Sequence, residues 1–199
     1  MPTTPTDPAR SAKPLLIRQG HTLLLDDNAT TQRGWLRVAK GMVRVVITDP
    51  SQDALDAESL TLGFLQRNDH LSLDLLRHSR LHLEALRSTE LAVEMSLDSS
   101  LGGSSLQEWT VALLMIRNQA NARLKIIALL QWLVEQLGER RAQWYHLPLR
   151  FTHAELAQLC GLTRVTVSRQ LSDWKKRGLI DQDQQPLQTL HIAPELLSL

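Results

Sequence analysis

The chain has 199 residues, a formal net charge of +1 and 43% hydrophobic residues, which is ordinary for a globular protein of one large or two small domains. No apolar run is long enough to cross a bilayer, and the first residues lack the apolar stretch of a secretory signal. We therefore expect a cytoplasmic protein that does not enter the membrane, with a disordered tail over residues 1–12.

The chain contains one cysteine, Cys160. A single thiol cannot form an internal disulfide, and it cannot hold an iron–sulfur cluster that needs several thiolates. Cys160 follows Leu156 and Leu159 on the apolar face of a predicted helix, which favours a buried structural thiol.

Charge is distributed unevenly along the chain. Residues 22–116 contain eight basic and 13 acidic residues, whereas residues 140–177 contain eight basic and two acidic ones. This asymmetry suggests that the two parts of the chain meet different partners. The alternative is that the basic side chains only keep a surface solvated.

The first half of the chain predicts short β-strands. Apolar or alternating runs are separated by glycine and Asx turns, and they cover residues 20–25, 35–38, 42–47, 60–65 and 91–95. Strands of this length and spacing indicate a β-sandwich or small barrel over residues 13–104. The segment 74–86 is ambiguous and can hold a short helical turn.

A long helix is predicted after the breaker at residues 102–105, with Ser105 as its N-cap. Apolar residues recur in it at steps of three and four, as in a helix that pairs with a second copy of itself: Leu106, Trp109, Leu113, Ile116 and Ala120. The alternative is an amphipathic helix that packs on its own domain. A polar interval at 118–121 predicts a hinge, so the dimerisation segment spans residues 105–121. A second helix over 122–137 is expected to end at Gly138.

Residues 122–199 predict a DNA-binding domain built on a helix-turn-helix. Thr152 and Glu155 have the spacing of a capping box, Gly161 closes the first helix, and Thr163 caps a second helix from Arg164 to Arg177. The buried face of that helix is predicted to carry Val167, Leu171 and Trp174. Two short apolar runs, 179–180 and 190–192, then predict a β-hairpin wing.

The first turns of the second helix carry the candidate DNA contacts. A helix in the major groove reads base edges with its N-terminal residues; arginine can bond guanine in bidentate fashion, and valine can contact a thymine methyl. The candidate base-reading residues are Arg164, Val165, Ser168 and Arg169. The candidate phosphate contacts are Thr163, Thr166 and His153.

The string from Thr152 to Leu171, continued by Lys176 to Ile180, strongly resembles the helix-turn-helix of the cAMP-receptor/FNR (CRP/FNR) family. Its segment 163–169 is most similar to the nitrogen-control (NtcA) branch. The resemblance implies an α+β fold with an N-terminal cyclic-nucleotide-binding-like β-roll, a long dimerisation helix and a C-terminal winged helix-turn-helix. It also implies a homodimer that binds double-stranded DNA at a palindromic site and contacts RNA polymerase.

The same resemblance assigns base reading to Arg164 and Arg169, with Val165 contributing selectivity. Val165 stands where the cAMP receptor itself carries a base-reading glutamate, so that protein's own operator is not expected. A two-fold site of the GTA…TAC type is the closest expectation.

The effector region departs from the family. Residues 71–76 lack the glycine and glutamate of a cyclic-nucleotide pocket, and Asp74 would repel a phosphate, so no cAMP binding is expected. Leu71, Ser72 and Leu73 resemble part of the 2-oxoglutarate pocket of the nitrogen-control regulators, and Arg117 lies in the matching region of the helix, although Asn118 occupies the position of the family's arginine. Action without an effector, or with an unknown ligand, is favoured over 2-oxoglutarate.

Histidines offer weaker candidate sites. Asp74, His78 and His82 have the spacing of one helix face and could hold a metal, while His21, His70 or His82 could ligate a haem. Solvated surface residues are the favoured interpretation, and no metal or other cofactor is predicted.

Two other classes of function remain as alternatives. An enzyme on a cupin-like β-roll would need clustered histidine and glutamate ligands on the strands, and the strands carry almost none. A non-catalytic scaffold or protein-interaction module with a vestigial helix-turn-helix would show no preference between DNA sequences. The sequence favours a DNA-binding transcription regulator.

Overall fold

The computed structural model describes residues 14–25, 34–48, 59–73, 80–94, 105–182 and 189–198. The chain forms two compact units, Met1–Glu108 and Trp109–Leu199, and their boundary falls inside the first helix. The described residues of the first unit form eight strands and the start of that helix: β1 (Leu15–Ile17), β2 (Thr22–Leu25), β3 (Trp35–Lys40), β4 (Met42–Thr48), β5 (Ser59–Gln66), β6 (His70–Ser72), β7 (Arg80–Ala85), β8 (Thr89–Glu94) and α1 (Ser105–Arg117).

The strands of the first unit form two antiparallel four-stranded sheets, ordered β1-β8-β3-β6 and β2-β7-β4-β5. Strand β7 alternates strictly between buried and half-buried positions, as a strand with one face on the core should. The core between the strands is aliphatic and includes Val43, Leu71, Leu81 and Leu83, and Leu106 from the start of α1 joins it.

Each of the five predicted strands forms, and the ambiguous segment 74–86 contains β7, which lies between β2 and β4. Residues 74–79, the part of that segment that can hold a helical turn, lie outside the described residues. Strands β1 and β6 have three residues each. A run of that length is too short to show a period of two, so sequence patterning did not reveal them.

The second unit contains helices around a small sheet. Its elements are the remainder of α1, then α2 (Ala122–Leu137), β9 (Glu139–Arg141), β10 (Trp144–His146), α3 (His153–Cys160), α4 (Arg164–Lys176), β11 (Ile180–Gln182), β12 (Leu190–Ile192) and α5 (Pro194–Leu197). Strand order is β11-β12-β10-β9. The predicted wing is confirmed by the antiparallel β11–β12 pair. The β9–β10 hairpin was not predicted, because β9 is polar and fully exposed.

The bend between α1 and α2 lies at residues 118–121, as the polar interval predicted. Asn121 caps α2 by accepting a hydrogen bond from the Leu124 N–H at 3.0 Å. The helix ends at Gly138 as predicted, and the glycine has φ −75°, which is extended backbone outside the left-handed region. Glycine suits this position for a steric reason, since an added Cβ would lie 2.5 Å from the Val134 carbonyl oxygen.

The predicted dimer face of α1 needs correction. Leu106, Trp109, Leu113 and Ile116 are each at most 4% exposed within the single chain, so they cannot offer an exposed surface to a second copy. Ala120 lies beyond the end of α1, in the bend. The apolar residues that α1 exposes are others, each about 60% accessible: Val111, Leu114 and Met115. Periodicity identified a helix with apolar stripes but could not tell which stripe its own chain covers.

Ser105 is the first residue of α1, so the cap position lies before it and outside the described residues. None of the helices in the described ranges combines the length and apolar character needed to span a membrane.

Candidate nucleic-acid interface

Helix α3 begins with the predicted capping box. The Thr152 hydroxyl accepts the Glu155 N–H at 3.1 Å, and the Glu155 carboxylate accepts the Thr152 N–H at 2.7 Å. Both bonds satisfy backbone donors that have no partner inside the helix. The start of the first helix of the motif is therefore determined by local sequence.

The turn between α3 and α4 depends on Gly161. This residue has φ 63° and ψ 44°, the left-handed conformation that residues with a Cβ adopt only at a cost. Its N–H and that of Leu162 return to the carbonyl of Ala157, which closes α3 in the predicted way. The chain can then start α4 three residues later.

Helix α4, the recognition helix, has one fully buried face. Val167 and Trp174 are completely inaccessible and Leu171 is 5% exposed. Helix α4 packs against α2 and α3, whose fully buried apolar residues include Leu130 and Leu156. The recognition helix is thus held by its core face, and its orientation in the second unit is set by packing.

The four candidate base readers lie away from that core face. Arg164, Val165 and Arg169 are exposed, and Ser168 is half-buried. At about 100° of rotation per residue they share an arc of roughly 140°. Val165 leaves 60% of its surface open although it is apolar. An exposed valine between two exposed arginines suits a surface that contacts base edges and thymine methyls.

The candidate phosphate contacts gather at two helix N-termini. Thr163 caps α4 by accepting the Thr166 N–H at 3.2 Å, and the two threonine hydroxyls lie 2.9 Å apart. Since the pair needs only one hydroxyl proton for that bond, the second proton can be donated to a phosphate oxygen. His153, half-buried in the first turn of α3, stands at the other helix N-terminus.

The basic residues of the segment 140–177 all lie at the surface of the second unit. Arg140 lies over the Tyr145 ring, 5.3 Å from its centroid. None of the eight is buried in the unit's core; Arg141 pairs with Glu139 and Arg177 with Asp173, and the basic residues still outnumber the acidic ones on this surface, which favours contact with a polyanion. They are Arg140, Arg141, Arg150, Arg164, Arg169, Lys175, Lys176 and Arg177.

Comparison with known proteins agrees with this geometry. A family model described as the Crp-like helix-turn-helix domain matches residues 125–194, and one described as the cyanobacterial CRP family N-terminal domain matches residues 15–105. The chain belongs to the CRP/FNR family. It is a DNA-binding transcription regulator of that family, and the helix-turn-helix is its DNA-binding element.

Among curated proteins, the regulatory protein CysR of Synechococcus elongatus is 28% identical, covering 88% of this chain and 84% of its own. A CRP/FNR-family regulator of Thermus thermophilus shares the fold with a TM-score of 0.68 at 18% identity, over 94% of this chain and 99% of its own. FixK2 of Bradyrhizobium japonicum does so with a TM-score of 0.65 at 17% identity, over 94% and 96%. The expected α+β CRP/FNR fold is confirmed.

The candidate effector residues of this CRP/FNR regulator have different environments. Leu71 and Leu73 are buried in the core of the first unit, and Ser72 is half-buried opposite Trp35 on the neighbouring strand. Arg117 belongs to the second unit, where its guanidinium donates to two backbone carbonyls of α3. Sequence reasoning missed that role, because nothing in local sequence links residues 41 positions apart.

The candidate metal and haem residues are only partly described. His82 lies on β7, and its Nε2 is 3.0 Å from the Thr48 hydroxyl. Asp74 and His78 lie outside the described residues. His70 Nε2 lies 3.4 Å from a carboxylate oxygen of Glu94, which also pairs with Arg37. Within the described ranges no three His, Cys, Asp or Glu side chains are grouped as metal ligands.

Cys160 is buried at the end of α3, and its thiol faces the Lys125 carbonyl oxygen at 3.7 Å. Burial raises the pKa of the thiol from 9.0 to about 12, although the charges of Arg117 and Lys125 act in the opposite direction. The neutral thiol therefore predominates at physiological pH, and the structural role expected from sequence fits this environment.

We expect the native protein to resist thiol alkylation at pH 8 and to react once it is unfolded in urea. Because the folded-state pKa exceeds the unfolded one, the thiol's stabilising contribution is complete below pH 9.0 and is lost as pH rises through about 12. The Cys160→Ala variant should lose stability less steeply in that alkaline window. Equal alkylation rates with and without urea would contradict this burial.

Proposed function

We propose that this regulator acts as a homodimer on a palindromic DNA site and reads each half-site with the first two turns of α4. One observation carries the proposal: the arc holding Arg164, Val165 and Arg169 is open to solvent, while the opposite face of the same helix is fully buried. Arg164 and Arg169 are the proposed guanine readers, and Val165 adds selectivity by contact with a thymine methyl. Thr163, Thr166 and His153 orient the helix on phosphates.

The dimer is proposed to form through the exposed apolar face of α1. Val111, Leu114 and Met115 follow one another at steps of three and one, so they lie on one side of the helix. A regulator that recognises two-fold symmetric DNA needs this kind of isologous contact, in which the same patch is used by both copies. Dimers of helix-turn-helix proteins bind two half-sites whose centres lie about one helical turn apart, with one recognition helix in each half-site.

The first unit, which contains the candidate effector residues 71–73, is proposed to act without cAMP. Support comes from the sequence of residues 71–76, which lacks the phosphate-binding pattern. Leu71 and Leu73 are buried in the hydrophobic core of the first unit, and the Arg117 guanidinium already donates hydrogen bonds to two backbone carbonyls of α3. These features favour effector-free action, or an unknown ligand, over 2-oxoglutarate. Contact with RNA polymerase and a location in the cytoplasm complete the proposal, which includes no catalytic step.

Selection of bound DNA from a random pool, followed by a gel-shift titration, tests this function. The selected sites should be palindromic, and affinity for them should fall on the order of 10³-fold between about 50 and about 200 mM salt, since each neutralised phosphate releases a counterion. Repeating the selection with cAMP and with 2-oxoglutarate tests the effector proposal. A pool without sequence enrichment would favour the scaffold alternative and refute the proposed function.

A further inference from the structure

Arg117, the last residue of α1, joins that helix to the helix-turn-helix. Its Nη2 donates to the Gln158 carbonyl at 2.8 Å and its Nε to the Leu159 carbonyl at 3.2 Å. Both acceptors belong to the last turn of α3, at the negative end of the helix dipole. The Gln158 carbonyl also accepts the Gly161 N–H at 3.3 Å, so the guanidinium bonds the same carbonyl that closes the helix. A planar guanidinium can satisfy two adjacent acceptors at once, which an ammonium group cannot do with the same rigidity.

The aliphatic part of Arg117 lies against the turn of the motif. A Cβ added to Gly161 would be 3.5 Å from Cγ and 3.7 Å from Cδ of Arg117, which is ordinary van der Waals contact. The side chain therefore covers the left-handed turn residue and bonds the carbonyls just before it. Through this one residue, the end of α1 contacts the point from which α4 begins.

A second contact is made by the same helix, α1, eight residues before Arg117. The Trp109 ring meets the Trp132 ring of α2 edge to face, with centroids 5.7 Å apart and planes at 84°. Trp109 and Arg117 are eight residues apart, about 12 Å along a helix. Residues 109–117 of α1 thus contact α2 at one end and α3 at the other, all within the second unit. The bend at residues 118–121 is consequently bridged by side-chain contacts between the helices that flank it.

We propose that Arg117 is a positioning residue for operator recognition: its two bonds hold the helix-turn-helix at one orientation to α1, and so set the spacing between the two recognition helices of the dimer. This inference rests on the proposed homodimer, in which α1 lies at the two-fold axis. Without the guanidinium, the connection between α1 and α3 would depend on the bend and on the tryptophan pair. Each recognition helix would still read its half-site but would tolerate other separations.

Operators with altered spacing test this role. We would measure affinities of the full-length protein for the selected palindrome, for the palindrome with one or two base pairs added or removed between half-sites, and for a half-site alone against a scrambled one. Wild type should prefer its own spacing. In Arg117→Ala, the ratio of affinities for the native spacing over the altered spacings should be roughly tenfold lower than in wild type. In Arg117→Lys, that ratio should lie between the values for wild type and Arg117→Ala. The preference for the correct half-site over the scrambled one should not change.

The matched control is Arg123→Ala, which removes an exposed arginine of α2 from the same region. It should keep the spacing preference. A merely structural role for Arg117 would lower all affinities together and leave the spacing ratio at the wild-type value, which would overturn the inference. Thermal unfolding shows whether Arg117→Ala is folded. If that variant is unfolded, the spacing preference of Arg117→Lys serves as the test, and a wild-type ratio in it would overturn the inference.

A measurement without DNA separates this inference from the proposed function. A spin label at Ser172→Cys, on the exposed side of α4, reports the distance between the two recognition helices of one dimer. The distance distribution should be narrow in otherwise wild-type protein and clearly broader with Arg117→Ala. An equally narrow distribution in both would refute the positioning role even if operator binding is confirmed. A protein that selects no DNA sequence would refute the proposed function, and the inference with it.

Discussion

Replacing Arg169 with alanine is expected to remove most sequence discrimination while leaving the protein folded. The guanidinium projects from the second turn of the recognition helix, on the exposed side opposite Val167 and Trp174, so its loss leaves no buried group unpaired. A bidentate arginine–guanine contact contributes about 1–3 kcal/mol of discrimination. A symmetric operator has two such contacts, which gives a loss of at least roughly 30-fold in the ratio of specific to non-specific affinity.

The measurement is that ratio at one fixed salt concentration, because removing a positive charge also weakens non-specific binding. Arg67→Ala is the matched control, since it removes an exposed arginine from a turn of the first unit. It should leave the ratio unchanged. An Arg169→Ala protein that discriminates between sequences as well as wild type would show that base reading occurs elsewhere.

Leu114→Asp should convert the dimer into a folded monomer. Leu114 is 61% exposed within the chain, so a carboxylate there is hydrated in the monomer and would have to be desolvated at a two-fold interface. Loss of the second subunit removes half of the contacts to a palindromic site, so operator affinity should fall by orders of magnitude. Light scattering with size-exclusion chromatography reports the mass, and a gel shift reports the affinity.

Leu113→Asp provides the contrast, because the neighbouring leucine is only 3% exposed. Burying a carboxylate without a partner costs several kcal/mol, so this variant should unfold at lower temperature or denaturant concentration. Leu124→Asp, on the first turn of α2 and 37% exposed, is the matched control that should remain a stable dimer. A Leu114→Asp protein that is still dimeric and binds the operator normally would place the interface on another surface.

The DNA-reading segment was predictable because its determinants are local. The capping box at Thr152 and Glu155, the left-handed Gly161 and the cap at Thr163 each act within four residues, and the structure shows all of them. Core and exposed faces of α4 follow from the helical period alone. Local chemistry therefore decided where both helices begin, where α3 ends and which side chains of α4 remain accessible.

The tertiary structure decided the features that depend on distant partners. Helix α1 carries apolar residues on two sides, and only packing shows that Leu113 is covered by its own chain while Leu114 is not. Arg117 finds its acceptors 41 and 42 residues away in α3. Sequence by itself determined the helix-turn-helix and the family, because helix caps and helical periodicity depend only on residues that are a few positions apart in the chain. Two features depend on contacts between segments that are far apart in the chain: the face of α1 that remains free for a second subunit, and the hydrogen bonds of Arg117 to α3. A local sequence pattern carries no information about such contacts.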